Sequence, residues 1–177
     1  MGKFDHLPKQ QARFISEQHI FFVATAPNEG KINLSPKGID SFRVLNENQV
    51  AWLNLTGSGN ETSAHVQENG RMTVMFCSFT KHPNILRIYG MAKVFHPRDE
   101  EWNELYAKFQ EDNGARNIFV LDIDMVQTSC GYAVPFMEFV SERDQLNKWA
   151  GDQGKEGVQR YWEEKNTVSL DGKPIAL

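Results

Sequence analysis

The 177-residue chain has few of the features that mark disulfide-rich, membrane-spanning or nucleic-acid-binding proteins. Its two cysteines, Cys77 and Cys130, are too few for a disulfide framework and are expected to be free thiols in a reducing compartment. No hydrophobic run reaches membrane-spanning length, and the N-terminus lacks the apolar segment of a signal peptide. A net charge of −4 argues against a protein built mainly to bind nucleic acid. These absences predict a cytoplasmic protein whose partners are neither membranes nor nucleic acids.

The common spacings of metal centres and serine hydrolases are also missing. The five histidines form no H-x-x-x-H or similar ligand pattern, so no metal site is expected. None of Ser35, Ser58 and Ser129 lies in a G-x-S-x-G elbow, so hydrolase chemistry has no support. The acidic residues cluster mainly in predicted helices, where a solvated face is their expected role.

Length and hydrophobic patterning predict one domain over residues 1–177, with a barrel core at about 10–140 and a helical segment at about 142–166. Six strands are expected, over residues 20–26, 31–37, 49–55, 71–79, 85–95 and 117–126, with 136–140 as a candidate extension of the last. Crossover helices are missing between the first and second strands and between the fourth and fifth. A mainly β fold, a mostly antiparallel barrel with peripheral helices, therefore fits better than a doubly wound sheet.

Three local features add to this outline. Gly90 lies inside the strand 85–95 and predicts a bulge or a close backbone approach. An apolar stripe at helical spacing predicts an amphipathic helix over 98–110. The helical segment is expected to break near residues 151–154, and the tail from Ser169 is expected to be loose.

Residues 52–62 are the most informative stretch of the sequence. An apolar strand ends in a small polar loop, residues 56–60, and a short helix follows. This arrangement points backbone N–H groups and a helix N-terminus at one spot, which suits a phosphate. The polar strand 33–38 offers the Ser35 hydroxyl and the Lys37 ammonium to the same anion. The two segments predict a phosphorylated cofactor, although a glycine-rich turn that only caps a helix explains the loop about equally well.

Taken in order, five blocks of the chain resemble the FMN-binding split barrel of the pyridoxamine 5′-phosphate oxidase-like family. The blocks are NLSPKG at 33–38, WLNLTGSGN at 52–60, RMTVMF at 71–76, LRIYGMA at 86–92 and CGYAVP at 130–135. The resemblance covers about residues 10–140. It implies a six-stranded antiparallel split barrel that forms a homodimer, with FMN in two clefts at the interface.

The resemblance also implies which residues bind the cofactor. Grouped by expected contact, they are Ser35 and Lys37 near the FMN phosphate or ribityl chain; Trp52, Leu53, Asn54 and Thr56 beside the isoalloxazine; Ser58, Asn60 and Arg71 at the phosphate; and the partner subunit's Cys130 and the partner subunit's Tyr132 at the ring. No catalytic side chain is assigned, because a bound flavin carries the redox chemistry itself.

Two departures separate this chain from the true oxidase. Residues 59–62 replace a Ser-x-Lys pattern, and no arginine follows Arg160, although the oxidase grips its substrate with a late arginine-containing segment. The expected function is therefore an FMN-dependent oxidoreductase acting on an unknown small substrate rather than on vitamin B6. Two alternatives remain open: a related enzyme with deazaflavin or haem in the same cleft, and a non-enzymatic flavin-binding or sensing module.

Overall fold

An eight-stranded antiparallel sheet forms the centre of the computed structural model, which describes residues 2–177. The strands are β1 (Lys3–Phe4), β2 (Phe21–Thr25), β3 (Asn33–Lys37), β4 (Phe42–Asn46), β5 (Gln49–Leu55), β6 (Arg71–Cys77), β7 (Ile85–Phe95) and β8 (Ala115–Ser129). Four helices accompany them: α1 (Lys9–Ser16), α2 (Glu61–Glu68), α3 (Trp102–Tyr106) and α4 (Gln145–Lys165). The predicted class, mainly β with peripheral helices, is confirmed.

The strand order explains how the sheet becomes a split barrel. Strands follow one another as β3-β2-β6-β7-β8-β5-β4, and β1 pairs with β8 outside this path. The hydrogen-bonded path therefore stops at two edges, β3 and β4. The ammonium of Lys37, at the end of β3, lies 5.0 Å from the centroid of the Trp52 ring on β5. The β3 edge thus faces β5 across a gap that side chains fill.

The predicted number of strands is too low by two. Strand β4 was not predicted because it is an edge strand that pairs with β5 alone and is only half-buried, so its apolar alternation is weak. Strand β1 has only two residues, which is too short for a periodic signal. Residues 136–140 do not extend the last strand and follow β8 as irregular, exposed chain.

The helix expected over 98–110 is shorter than predicted. Only Trp102–Tyr106 is α-helical, and hydrogen bonds that span three residues form tight turns on either side, from Trp102 N–H to the Asp99 carbonyl and from Phe109 N–H to the Tyr106 carbonyl. The apolar stripe is nevertheless buried, because Trp102 and Phe109 both pack against the sheet.

The C-terminal part is more ordered than expected. Helix α4 contains a break at Gly154, whose φ of 64° leaves the helical region. The tail from Ser169 is not loose. An antiparallel bridge joins Val168 to Pro174, and Ile175 is 6% exposed, so burial of an apolar side chain holds the tail against the body of the protein.

Two hydrophobic clusters lie on opposite faces of β5 and β8. The first fills the barrel and contains Trp52 stacked on Phe119 at a centroid distance of 4.7 Å. The second lies under α3 and joins Leu53 to Trp102. Because both faces of β5 are buried, the loop that follows it starts from a rigid strand. Among residues 2–177, no helix combines the length and the apolar character needed to cross a membrane.

Candidate functional site

A cavity of about 300 Å³ lies where β3 and β5 approach the glycine loop, which we define as residues 57–60. Strand β3 contributes Asn33, Ser35 and Lys37, which share one face because side chains alternate along a strand. Strand β5 contributes Asn54. The remaining walls are the glycine loop, the first residues of α2 and one arginine from β8. The cavity therefore lies at the split between the two ends of the sheet.

Lys37 places an ammonium at this cavity, where no acidic side chain of residues 2–177 pairs with it. Its Nζ lies over the Trp52 ring, which attracts the charge weakly. Burial lowers the pKa of Lys37 to about 8, and the positive charge of Arg116 adds to the effect. The surroundings of Lys37 therefore disfavour its charged form, and a bound anion would stabilise that form.

Arg116 reaches the cavity through a β-bulge. Asn54 pairs with Asn117 and Leu55 pairs with Ala115, so Arg116 is the additional residue on β8. Its side chain is buried and donates from Nη1 to the Gly59 carbonyl at 3.1 Å. Burial lowers the pKa of Arg116 to about 10. Its Nε is also buried and has no hydrogen-bond partner in residues 2–177.

The charge balance of the cavity favours an anion. Within the part of the chain that the structure describes, neither Lys37 nor Arg116 forms an ion pair with a carboxylate. Glu61 also lines the cavity, but its carboxylate accepts the N–H of Leu170 from outside. Buried cations are costly unless a counter-charge accompanies them, so the arrangement suits a ligand with a negative group.

The glycine loop is open to a ligand. A Cβ added to Gly59 would meet nothing within 4 Å, and one added to Gly57 would meet only the Gly59 carbonyl, at 4.0 Å. Asn60 precedes α2 without capping it through its side chain, which leaves the first N–H groups of the helix free of that partner. Among residues 2–177, no group hydrogen-bonds to the buried Asn60 Oδ1. Cations, helix N–H groups without a side-chain cap and an unpaired acceptor together fit a ligand that carries both a phosphate and hydroxyls, as FMN does.

Buried hydrogen bonds hold the polar walls in place. Asn54 Nδ2 donates to Asn117 Oδ1 at 2.9 Å, and Asn117 Nδ2 donates to Ser63 Oγ at 2.9 Å, which ties β5 and β8 to α2. On the other wall, Ser35 Oγ donates to Asn33 Oδ1 at 3.0 Å. Because these side chains are already oriented, a ligand need not order them on binding.

Five residues expected at the cofactor line this cavity: Ser35, Lys37, Asn54, Ser58 and Asn60. The others lie elsewhere. They are Trp52 and Leu53, in the two hydrophobic clusters; Thr56, buried beside the loop; Arg71, exposed at the start of β6; and Cys130 and Tyr132, exposed after β8. In a single chain, the last three do not reach the cavity.

Arg116 is the main residue that the sequence interpretation missed. A cation at the start of an apolar strand usually lies on the surface, so composition alone gives no reason to select it. The available signal was its position beside Asn117 in a strand long enough to pair with β5. Arg116 reaches the glycine loop only because of the register between β5 and β8 and the bulge in it.

The fold and the cavity define a class: antiparallel β-barrels with a cationic pocket at the split of the sheet. Residues 7–130, well over half of the chain, match the family model described as pyridoxamine 5′-phosphate oxidase. The chain therefore belongs to the pyridoxamine 5′-phosphate oxidase family, and the predicted split-barrel fold is confirmed.

Three known proteins illustrate the similarity. The chain is 39% identical over 180 residues to the pyridoxamine 5′-phosphate oxidase family protein ustO of Aspergillus flavus, covering 89% of this chain and 70% of that protein. HupZ of Group A Streptococcus gives a TM-score of 0.56 at 14% identity and covers 75% of this chain and 100% of its own. An FMN-binding protein from Syntrophomonas wolfei gives 0.50 at 15% identity, covering 67% of this chain and 84% of its own. The last two likenesses show a shared fold.

Proposed function

We propose that this protein binds FMN and uses it as an oxidoreductase on a small molecule. The observation that carries the proposal is a pair of cations beside an open glycine loop, the half-buried Lys37 and the buried Arg116. Neither forms an ion pair with a carboxylate among residues 2–177. Family membership supports the choice of ligand, since one protein with the same fold is described as FMN-binding.

Each part of the cavity has a separate task in this proposal. Lys37 and Arg116 supply the charge for the phosphate, and the glycine loop supplies space and N–H groups. Ser35 and the orphaned Asn60 Oδ1 meet hydroxyls of the ribityl chain. Bound FMN supplies the electron transfer at its ring. Trp52 acts indirectly, because its burial fixes the strand from which the loop begins.

The proposal includes a homodimer with a cofactor in each of two interface clefts. Its support is an exposed apolar segment after β8, in which Tyr132 is 82%, Phe136 81% and Val140 91% exposed. Exposed apolar patches of this kind commonly mark interaction sites. In a dimer, Arg71 and the partner subunit's Tyr132 could approach a cavity that neither reaches within its own chain. A cytoplasmic location stays a prediction.

The first experiment is a visible absorption spectrum of the purified protein, before and after addition of FMN and desalting. The proposal expects the two bands of an oxidised flavin to stay with the protein. A deazaflavin and haem are tested in parallel, because each has its own spectrum. Riboflavin shares the isoalloxazine ring and the spectrum of FMN, so it is compared by how much of it stays with the protein after desalting. Protein that retains none of the flavins contradicts the proposal. Retention of haem alone would move the function to another cofactor.

A second experiment separates an enzyme from a binding module. Loaded protein is mixed with reduced nicotinamides and then with electron-accepting dyes, and flavin bleaching and recovery are followed. Turnover supports an oxidoreductase. Tight FMN binding without bleaching by any donor would instead favour a non-enzymatic flavin carrier or sensor.

A further inference from the structure

Asn166, which follows the last residue of α4, lies at the candidate site although it is 50 residues from Arg116 in sequence. Its side chain is fully buried. The Oδ1 accepts a hydrogen bond from Arg116 Nη1 at 2.5 Å, and the Nδ2 donates to the Gly57 carbonyl at 3.1 Å. Its backbone carbonyl accepts from Asn60 Nδ2 at 3.3 Å. One residue thus joins the guanidinium, the glycine loop and the residue before α2.

The side-chain amide of Asn166 is uncharged, so its hydrogen bond to Arg116 does not neutralise the guanidinium. A carboxylate in the same place would fix Arg116 but would also cancel its charge. The Asn166 amide and the Gly59 carbonyl hold Nη1 through two hydrogen bonds and leave the full positive charge for a ligand. The Arg116 guanidinium is therefore both held in place and left with its positive charge, as an anion-binding site requires.

The rest of the tail keeps Asn166 in place. We define residues 166–176 as the C-terminal strap. The N–H of Leu170 in the strap donates to Glu61 at the start of α2. Asp171 forms an ion pair with Lys31 at 2.8 Å, on the turn between β2 and β3. Together with the Asn166 contact to Gly57, they connect the glycine loop and the start of α2 with the β2–β3 turn.

We propose that Asn166 is a positioning residue that makes the site select a phosphorylated flavin over an unphosphorylated one. It aims Arg116 at the phosphate and fixes the Gly57 side of the loop. This inference rests on the proposed function. It also extends the site beyond residues 7–130, the part of the chain that matches the family.

The test compares the affinities of the full chain for FMN and for riboflavin, which lacks the phosphate. Asn166→Ala removes one of the two hydrogen bonds that hold Arg116 Nη1 and should weaken FMN binding on the order of tenfold or more, with little change for riboflavin. Asn166→Asp keeps an acceptor for Arg116 but neutralises it and repels the Gly57 carbonyl. It should weaken FMN binding at least as much. A merely structural role predicts similar losses for both flavins, and that result would overturn the inference.

Asn69→Ala is the matched control. Asn69 also follows the last residue of a helix, α2, and its Nδ2 joins two segments by donating to the Ala26 carbonyl at 3.0 Å. It does not line the cavity. The control variant should lower the thermal midpoint without changing the ratio of FMN to riboflavin affinity.

Inorganic phosphate distinguishes failure of this inference from failure of the proposed function. Its binding is measured by the shift in thermal midpoint of the wild type and Asn166→Ala. Wild type that binds phosphate but not FMN contradicts the proposed function, and loss of phosphate binding in Asn166→Ala would still support the positioning role. Equal phosphate binding in the two proteins overturns that role. Wild type that binds neither ligand overturns both.

Discussion

Lys37 offers a direct test of the anion site at the scale of single residues. In the proposed site, Lys37→Ala removes one charge-assisted contact to the phosphate, so FMN affinity should fall by roughly 1.5–3 kcal/mol, about 10- to 150-fold. Riboflavin affinity should change little. Calorimetric titration measures both, and Lys148→Ala, which breaks an exposed ion pair with Asp144 on α4, is the control. Unchanged FMN affinity in Lys37→Ala would place this lysine outside the phosphate site.

The lowered pKa of Lys37 predicts how FMN binding depends on pH. Between about pH 7 and 8 the lysine largely carries its proton, and the phosphate, with a second pKa of about 6, is mainly a dianion. Above about pH 8, binding must take up a proton, so affinity should fall by up to about tenfold per pH unit. Titrations between about pH 7 and 9.5 test this. A slope that is equally steep in Lys37→Met would assign the titration to another group.

The same pKa has the opposite effect on the stability of the ligand-free protein. The unfolded chain keeps the Lys37 proton up to its ordinary pKa of 10.5, whereas the folded chain releases it near 8. Between these values the unfolded state binds more protons, so this residue's contribution to the free energy of unfolding should rise with pH. Urea titrations of the wild type and Lys37→Met, compared at several pH values, isolate that contribution. A difference between the two proteins that stays constant with pH would contradict the burial of the ammonium.

At the scale of elements, the glycine loop leaves room for a ligand, and the backbone conformation of Gly59 does not itself require a glycine. Gly59 has no left-handed φ and no neighbour within 4 Å of an added Cβ. Gly59→Val should therefore fold with a nearly unchanged thermal midpoint while FMN affinity falls on the order of tenfold or more, because the side chain occupies the cavity. Gly151→Val, in α4, also meets open space and is the control. Normal FMN binding in Gly59→Val would show that the phosphate does not bind at this loop.

Gly90, in contrast to Gly59, lies where the protein's own backbone leaves no room for a side chain. At the irregularity between β7 and β8, a Cβ on Gly90 would lie 1.9 Å from the Asp122 carbonyl oxygen, so the two strands would have to separate. Gly90→Ala should lower the free energy of unfolding by about 2 kcal/mol or more in urea. Gly151→Ala should be neutral or stabilising by about 0.5–1 kcal/mol, since alanine suits a helix better. A Gly90→Ala protein of normal stability would contradict this close strand approach.

The difference between β7 and β8 shows how far sequence reasoning reaches. The alternation from Ile85 to Phe95 is strong, so the strand and the irregularity at Gly90 were both predicted correctly. The arrival of Arg116 at the cavity depends on a bulge, and no local pattern specifies which residue of a pair will be the additional one. Asn166 depends on the folding back of a tail that looks polar in sequence. Local periodicity thus predicted the strands, whereas Arg116, one of the two cations of the site, is placed by long-range strand register.

At the scale of the whole molecule, the irregular segment after β8 exposes several large apolar side chains close together. Phe136 and Val140 are 81% and 91% exposed, and Phe139, which is 50% exposed, stacks its ring on His19 at a centroid distance of 3.7 Å. Water-exposed aromatic surface of this kind is costly, and a second chain would cover it at the cost of association entropy. In the proposed dimer, the segment would link the oligomeric state to the cofactor site, because it begins directly after β8 with Cys130 and includes Tyr132.

This link yields a prediction about assembly. Light scattering should find a dimer for the wild type, and Phe136→Asp should shift the equilibrium towards the monomer because a charge would be buried at the interface. FMN should then bind more weakly, since each cleft loses the wall supplied by the other chain. Ile32→Asp, at a 78% exposed position on the β2–β3 turn, is the control and should stay dimeric. A wild-type monomer that binds FMN fully would show that one chain forms the whole site, and Arg71, Cys130 and Tyr132 would then have no part in it.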